Sequence, residues 1–350
     1  MATLAQVASA VGVSIASVSK VLRGIETGTS AATRQSILAT AEKLGYRRNL
    51  LVESIQTGKS LTIGVVIPPY GEFTRVLADA IHAHCVAVGL VPIFHWAKPT
   101  SRSGTDPQKA EDADARDEWD VLNRLLDRRV DGLLLYPAAD GALASHFQEC
   151  LRRNIPLVAI DRCPQRGLTD FIGTDDALGA QAAVAHLMAL GHRHFIQLAG
   201  ELRYTTYRLR AETTETAIRA AGGTCTTRPI ANADHGQLLD HARALLAADP
   251  RATAAIVGSD AFAPALYRAA LEAGRPVPTG LSIVGFAGLD LGLHLPPPLT
   301  TIAQNPRELG RQATELLCSR IGTSYRQVPA RVRQIVPTLV VRGSTAVPAP

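Results

Sequence analysis

No run in this 350-residue chain approaches the roughly 18 consecutive apolar residues that a membrane-spanning helix needs. Met1 to Leu22 lacks a charged segment ahead of an apolar core, and its polar residues recur at helical spacing, so no signal peptide is expected there. Cysteine is scarce and scattered: Cys85, Cys150, Cys163, Cys225 and Cys318 form no CxxC pair and no Cys/His cluster. That pattern excludes a disulfide framework and a structural zinc, and fits a reduced, cytoplasmic protein whose thiols are ordinary core or surface residues. His82-x-His84 and His192-x-His194 have no second ligand pair at metal spacing, so no metal is expected. Catalytic signatures are missing too. Ile63-Gly64-Val65-Val66 carries no GxGxxG, and neither a P-loop nor a GxSxG elbow occurs. The carboxylates of Asp175-Asp176 and Glu111–Asp117 are assigned to a helix N-terminus and a solvated acidic loop rather than to a catalytic pair. An enzyme and a bound cofactor are therefore not expected.

What is present is an asymmetric charge. The net +5 is concentrated in residues 1–60, where Lys20, Arg23, Arg34, Lys43, Arg47, Arg48 and Lys59 face only Glu26, Glu42 and Glu53. A basic sixth attached to a near-neutral bulk points to a polyanion-binding module on a sensor or scaffold. The segment is patterned, not low-complexity. Thr3 to Gln6 reads as a capping box opening a helix with Leu4, Val7, Ala8 and Val11 on one face, which Gly12 ends. Ser14 caps a second helix to about Arg23, with Val18, Val21 and Leu22 inward. Ser30 caps a third with Ile37, Leu38, Ala41 and Leu44 inward, closed by Gly45. Two short helices across a Gly-Val-Ser turn make a helix-turn-helix. A generic three-helix bundle would not place Ser14, Ser17, Ser19 and Lys20 outward beside a basic hinge.

Thr3-Leu4-Ala5-Gln6-Val7-Ala8, Gly12-Val13-Ser14, Ser17-Val18-Ser19-Lys20-Val21-Leu22, Thr33-Arg34 and Leu44-Gly45-Tyr46 resemble the headpiece of the lactose-repressor (LacI/GalR) family, and the likeness continues along nearly the whole chain. The resemblance implies that Ile15, Ala16 and Lys20 read bases and that Ser14, Ser19 and Thr33 contact phosphates. It further implies that Asn49 caps a hinge helix and that Ile55 wedges into the minor groove at the operator centre, as apolar side chains do when they kink DNA. Ile15 and Ala16 can read only shape or a thymine methyl, whereas Lys20 can reach guanine acceptors or a phosphate. The chain departs from the family in one extra residue between Gly24 and Ser30, in Arg48 for proline and in Val52 for alanine.

From Leu61 the texture is α/β. Strands are expected at Thr62–Ile67, Val91–Phe94, Gly132–Leu135, Leu157–Ile160, Phe195–Ala199, Ala254–Val257 and Leu281–Phe286, alternating with helices as in parallel sheets. A break near Asp161–Asp170 suggests two subdomains. The resemblance implies a two-lobed sensor of periplasmic-binding-protein type I fold, crossed near 161, near 290–303 and near 324. The expected organisation is a headpiece over 1–46, a hinge over 47–60 and a sensor over 61–345. Within the sensor the N-lobe is set at about 61–161 with 302–324, and the C-lobe at about 162–301 with 325–345. The family match further places Phe73, Tyr136, Asp161, Arg208, Ser259 and Gln304 in the interlobe cleft. Ala287-Gly288 stands where sugar-binding members have an aspartate, so an arginine in a cleft with fewer acids favours an anionic effector, a sugar acid or sugar phosphate. The expected function is a homodimeric regulator, a repressor binding a pseudo-palindromic operator. A solute-binding protein of the same sensor fold, or a regulator controlled by a protein partner, is the alternative.

Overall fold

The computed structural model describes residues 2–25, 28–47, 54, 57–69, 71–97, 107–138, 143–162, 168–230, 235–325 and 328–349. The chain divides into two compact units, 1–60 and 61–350.

In the first unit, α1 (Leu4–Val11), α2 (Ile15–Leu22) and α3 (Ala31–Lys43) start at Thr3, Ser14 and Ser30, each of whose hydroxyl accepts a free N–H of the first turn. The Gln6 side chain returns the bond to the Thr3 N–H at 2.8 Å, completing the capping box. Gly12 ends α1 at φ 74°, a left-handed position that a side chain would strain. Val7, Ala8, Val18, Val21, Ile37 and Ala41 form a closed core that Leu4, Val11, Val13, Leu22 and Tyr46 flank. Leu38 and Leu44, expected inside, are instead exposed, because α3 has a narrow apolar face already filled by Ile37 and Ala41.

The second unit holds two six-stranded sheets. The first sheet has the order β11-β5-β4-β3-β1-β2 and the second β12-β10-β9-β8-β6-β7. The first contains β1 (Thr62–Ile67), β2 (Val91–Trp96), β3 (Gly132–Leu135), β4 (Leu157–Ile160), β5 (Asp170–Thr174) and β11 (Val332–Ile335), all parallel. The second contains β6 (His194–Ala199), β7 (Thr224–Pro229), β8 (Ala254–Val257), β9 (Ser282–Ala287), β10 (Thr300–Ala303) and β12 (Thr338–Val340), the last antiparallel. Helices α4 (Glu72–Ala87), α5 (Pro107–Asp127), α6 (Leu143–Arg152) and α11 (Pro306–Arg320) belong to the first lobe. Helices α7 (Asp176–Ala189), α8 (Thr205–Ala220), α9 (His235–Ala248) and α10 (Ala263–Glu272) belong to the second. Strands buried on both faces read as continuous apolar runs, such as Leu133-Leu134-Leu135 at zero exposure.

The lobe boundaries differ from those expected. Residues 170–174 are β5, hydrogen-bonded alongside β4, so the first crossing falls at Asp175 and not near 161. The second falls at 304–305, because β10 still belongs to the second sheet while α11 buries Leu309, Ala313, Leu316 and Leu317 in the first lobe. The third falls at 336–337, since β11 pairs with β5 before β12 returns to β10. The first lobe is thus 61–174 with 306–335. A buried ion pair secures this arrangement: Arg320 of α11 donates twice to Asp170 of β5, both at 2.7 Å. Gly310 lets α11 lie against α4, where a Cβ would come within 2.9 Å of the Leu77 carbonyl oxygen. Sequence periodicity hides β5 because it is short, opens on a charged residue and contains Gly173. Strands β7, β10, β11 and β12 are likewise elements that the sequence pattern does not separate.

Candidate DNA-reading surface and effector cleft

In the first unit the axes of α1 and α2 turn through 108° at the Gly-Val-Ser corner. Val18 and Val21 point into the core, which fixes the phase of α2 and turns Ser14, Ile15, Ala16 and Lys20 outward. Ile15 is 51% exposed at the first turn, an apolar side chain with no core to serve. Ser19 is half-buried. Thr33 is half-buried in the first turn of α3, where its hydroxyl lies 2.9 Å from that of Ser30. Asn49 and Ile55 lie outside the described residues.

In the second unit a cavity of about 250 Å³ lies where the carboxyl ends of strands from both sheets meet. Asp161 follows β4 at φ 63°, a left-handed backbone that aspartate adopts more readily than most side chains. The Tyr136 hydroxyl donates to its Oδ2 at 2.7 Å, and Gln304 Nε2 reaches its Oδ1 at 3.4 Å and Thr174 Oγ1 at 2.8 Å. Burial, then the Asp161 carboxylate, pushes the Tyr136 phenol well above its ordinary value, so it stays a donor. Across the cavity Arg210 donates through Nε to Asp176 at 2.7 Å and through Nη1 to the Gly258 carbonyl at 3.0 Å, with its guanidinium 3.8 Å from the Phe286 ring centroid. Burial lifts the Asp176 carboxyl to about 6, against the pull of Arg210. Asp260, although fully buried, is a brace: it accepts from the Thr301 hydroxyl at 2.7 Å and from the Leu289 N–H at 2.8 Å.

Two of the contacts that join the lobes over this cavity are hydrogen-bonded. The Glu72 carboxylate of α4 accepts the Asp290 N–H at 2.9 and 3.0 Å. Arg203, in the turn after β6, donates to Asp114 of α5 at 2.9 Å and to the Tyr204 hydroxyl at 2.6 Å. The expected acidic loop over Glu111–Asp117 is part of helix α5; within it Asp114 is buried while Asp112 and Asp117 are exposed, and the next residue, Glu118, is buried too. Glu118 accepts the Ala138 N–H at 2.5 Å and lies 2.9 Å from His146 Nε2. Asp175 caps α7 through the Leu178 N–H at 3.0 Å, as its placement at a helix start requires.

Residues 3–49 match the family of bacterial regulatory proteins of lacI type, and residues 184–345 match the periplasmic binding protein-like domain. An HTH-type transcriptional regulator from the aml 5′ region of Streptomyces limosus is 30% identical over 98% of this chain and 94% of its own. The transcriptional repressor PurR of Photobacterium profundum is 29% identical over 98% of both chains. The Lac repressor dimer, solved bound to operator and an anti-inducer, superposes with a TM-score of 0.84 at 26% identity, covering 99% of each chain. The chain belongs to the LacI family.

This LacI-family protein is a DNA-binding transcription regulator, not an enzyme, with a helix-turn-helix unit and an effector-binding sensor. Of the cleft residues expected in the sensor, Phe73, Tyr136, Asp161, Ser259 and Gln304 line the cavity. Arg208 does not. It is half-exposed, with Nη1 on the Leu202 carbonyl at 3.1 Å, and the cavity takes Arg210 instead. Residues two apart on a helix point about 200° apart, so only one of these arginines can face the cleft. Thr206 and Tyr207, four and three residues before Arg210, line the cavity with it. That helical phase is the signal the sequence offers for Arg210. Arg162 and Asp176 also line the cleft or pair within it, and neither sits in a motif that marks it.

Proposed function

We propose that this regulator is a cytoplasmic, homodimeric repressor that binds a pseudo-palindromic operator through two headpieces and is controlled by a small metabolite in the cleft. The outward face of α2 carries the proposal: Ile15 and Ala16 offer methyl contacts, and Lys20 offers a cation that can reach guanine or phosphate. Ser14, Ser19 and Thr33 supply hydroxyls for phosphates, while Asn49 starts the hinge helix and Ile55 enters the minor groove. One headpiece reads too few base pairs for genomic specificity, and a two-fold dimer doubles the site.

For the effector we infer a small hydroxylated metabolite bearing an acid group, a sugar acid or sugar phosphate; Arg208 does not supply the cation for that group, and Arg162 on the cavity wall is the one that favours it. The cavity is below the roughly 300–1,000 Å³ of drug-sized pockets, which suits a single ring or short chain. Asp161 and Gln304 are placed for hydroxyls, and Phe73 supplies an apolar wall. Enrichment of random duplexes on the purified full chain should return symmetric half-sites. Sugar acids added to the enriched complex should then change its mobility-shift midpoint. Enrichment of no symmetric sequence would refute the operator assignment.

A further inference from the structure

We propose that Arg162 is the specificity-determining residue of the cleft, a cation held ready for an oxyanion of the effector. The proposal rests on the acid-effector reading above and names the side chain that would enforce it. Arg162 lines the cavity, and its guanidinium lies 3.5 Å from the ring centroid of Tyr204 and 4.8 Å from that of Tyr136. These two cation–π contacts hold the guanidinium between rings without using its N–H groups. Nη1 reaches the Pro137 carbonyl at 3.3 Å, but Nε is buried with no hydrogen-bond partner among the described residues. A buried donor left unsatisfied is costly, and a ligand oxygen would satisfy it.

The other charges of the cleft already have protein partners, although the Asp161 carboxylate keeps lone pairs for further hydroxyls. Arg210 is matched by Asp176 at 2.7 Å, so its charge is cancelled from within the protein. Glu72 holds the Asp290 backbone across the mouth, and Asp161 is turned onto the Tyr136 hydroxyl. Among the described residues that line the cleft, Arg162 is the cation with a donor that no protein group accepts. The chemistry that fits is one oxyanion on a hydroxylated body: hydroxyls to Asp161 and Gln304, the carboxylate or phosphate to Arg162. A neutral sugar could offer Nε only a hydroxyl oxygen, a weaker acceptor than an oxyanion, which is how one residue discriminates against it.

The test compares thermal stabilisation of the full-length wild type, Arg162→Gln and Arg162→Lys, each relative to its own unliganded midpoint. The probes are gluconate, glucuronate and glucose 6-phosphate, with glucose and ribose as neutral controls. Acid probes should stabilise the wild type. Arg162→Gln should lose roughly tenfold to a hundredfold in affinity for them, and Arg162→Lys, which keeps the charge without the fork, should lie between. Gluconate against glucose 6-phosphate separates carboxylate from phosphate. Equal stabilisation of wild type and Arg162→Gln by an acid would overturn the role of Arg162 while leaving the acid effector standing. Stabilisation of the wild type by neutral sugars alone, or by none of the probes, would overturn the acid effector and the role of Arg162 together.

Discussion

Asp176 meets two opposed influences, and the stronger one leaves a measurable trace. Burial raises its carboxyl to about 6, although Arg210 favours the charged form. A carboxyl raised from 3.8 in the folded state contributes stability that is fully present below about pH 4 and is lost as pH rises to about 6. A tenfold change in proton affinity between the folded and unfolded chain is worth about 1.4 kcal/mol. Chemical denaturation between these two pH values should show that decline in the wild type and a flatter profile in Asp176→Asn. Equal slopes would place the titration elsewhere. Lys20 is the comparable single residue in the headpiece. If it contacts a base, Lys20→Ala should cost about 1–3 kcal/mol on the operator and relax one position per half-site. If it contacts only phosphate, all duplexes weaken alike and the salt slope falls by about one. A salt series on operator and random duplexes separates the two. At this scale the sequence is legible where a residue's role is local. The caps at Thr3, Ser14 and Ser30 can be read from it because side chain and partner are three residues apart. The pairing of Asp176 with Arg210 cannot, because it joins two helices through a turn of fold that no local pattern encodes.

The turn between β6 and α8 has a role beyond connection. It carries Arg203 and Tyr204 of the second lobe against Asp114 and Arg162 of the first. Asp114 has no exposed side chain and Arg203 little, so this ion pair is shielded from screening; removing Arg203 takes the cation from a buried carboxylate, whereas Arg203 keeps Glu201 when Asp114 is removed. Asp114→Asn and Arg203→Gln should each open the lobes and change operator affinity. The double variant should be less impaired than the sum of the two, giving a coupling of at least about 0.5 kcal/mol in denaturation. Additive effects, with an unchanged scattering profile, would show that the contact does not hold the lobes. Elements are readable from sequence when they are long or purely apolar, as β1, β3, β4 and β8 are. The edge strands β7, β11 and β12 carry polar residues on half-exposed positions and show no period. Because β5 and β11 escape the pattern, the sequence sets the crossings 14 and 12 residues too early at the first and third sites, at 161 rather than 175 and at 324 rather than 336.

At the scale of the molecule, the chain divides into two units, and among the described residues each buried core belongs to one unit alone. Removing residues 1–58 should therefore leave a folded dimer that no longer shifts operator DNA. Retained sequence-specific binding would move the DNA-reading surface out of the helix-turn-helix. The division into a basic reader and a near-neutral sensor is legible from charge placement alone, since +4 of the net +5 falls in the first sixty residues.

The threefold crossing between lobes also dictates an order of assembly during synthesis. The first lobe begins at β1, yet its sheet is not complete until β11 at Val332–Ile335, and its α4 surface stays bare until α11 has been made. The second lobe is in turn closed by β12 only a few residues later. A ribosome that has produced nine-tenths of this chain therefore carries two unfinished lobes, each exposing a sheet edge of the kind that mispairs or aggregates. The short segment from β11 to β12 completes both lobes at nearly the same moment. Premature stops and C-terminal lesions are thus expected to remove the whole sensor, rather than one lobe of it.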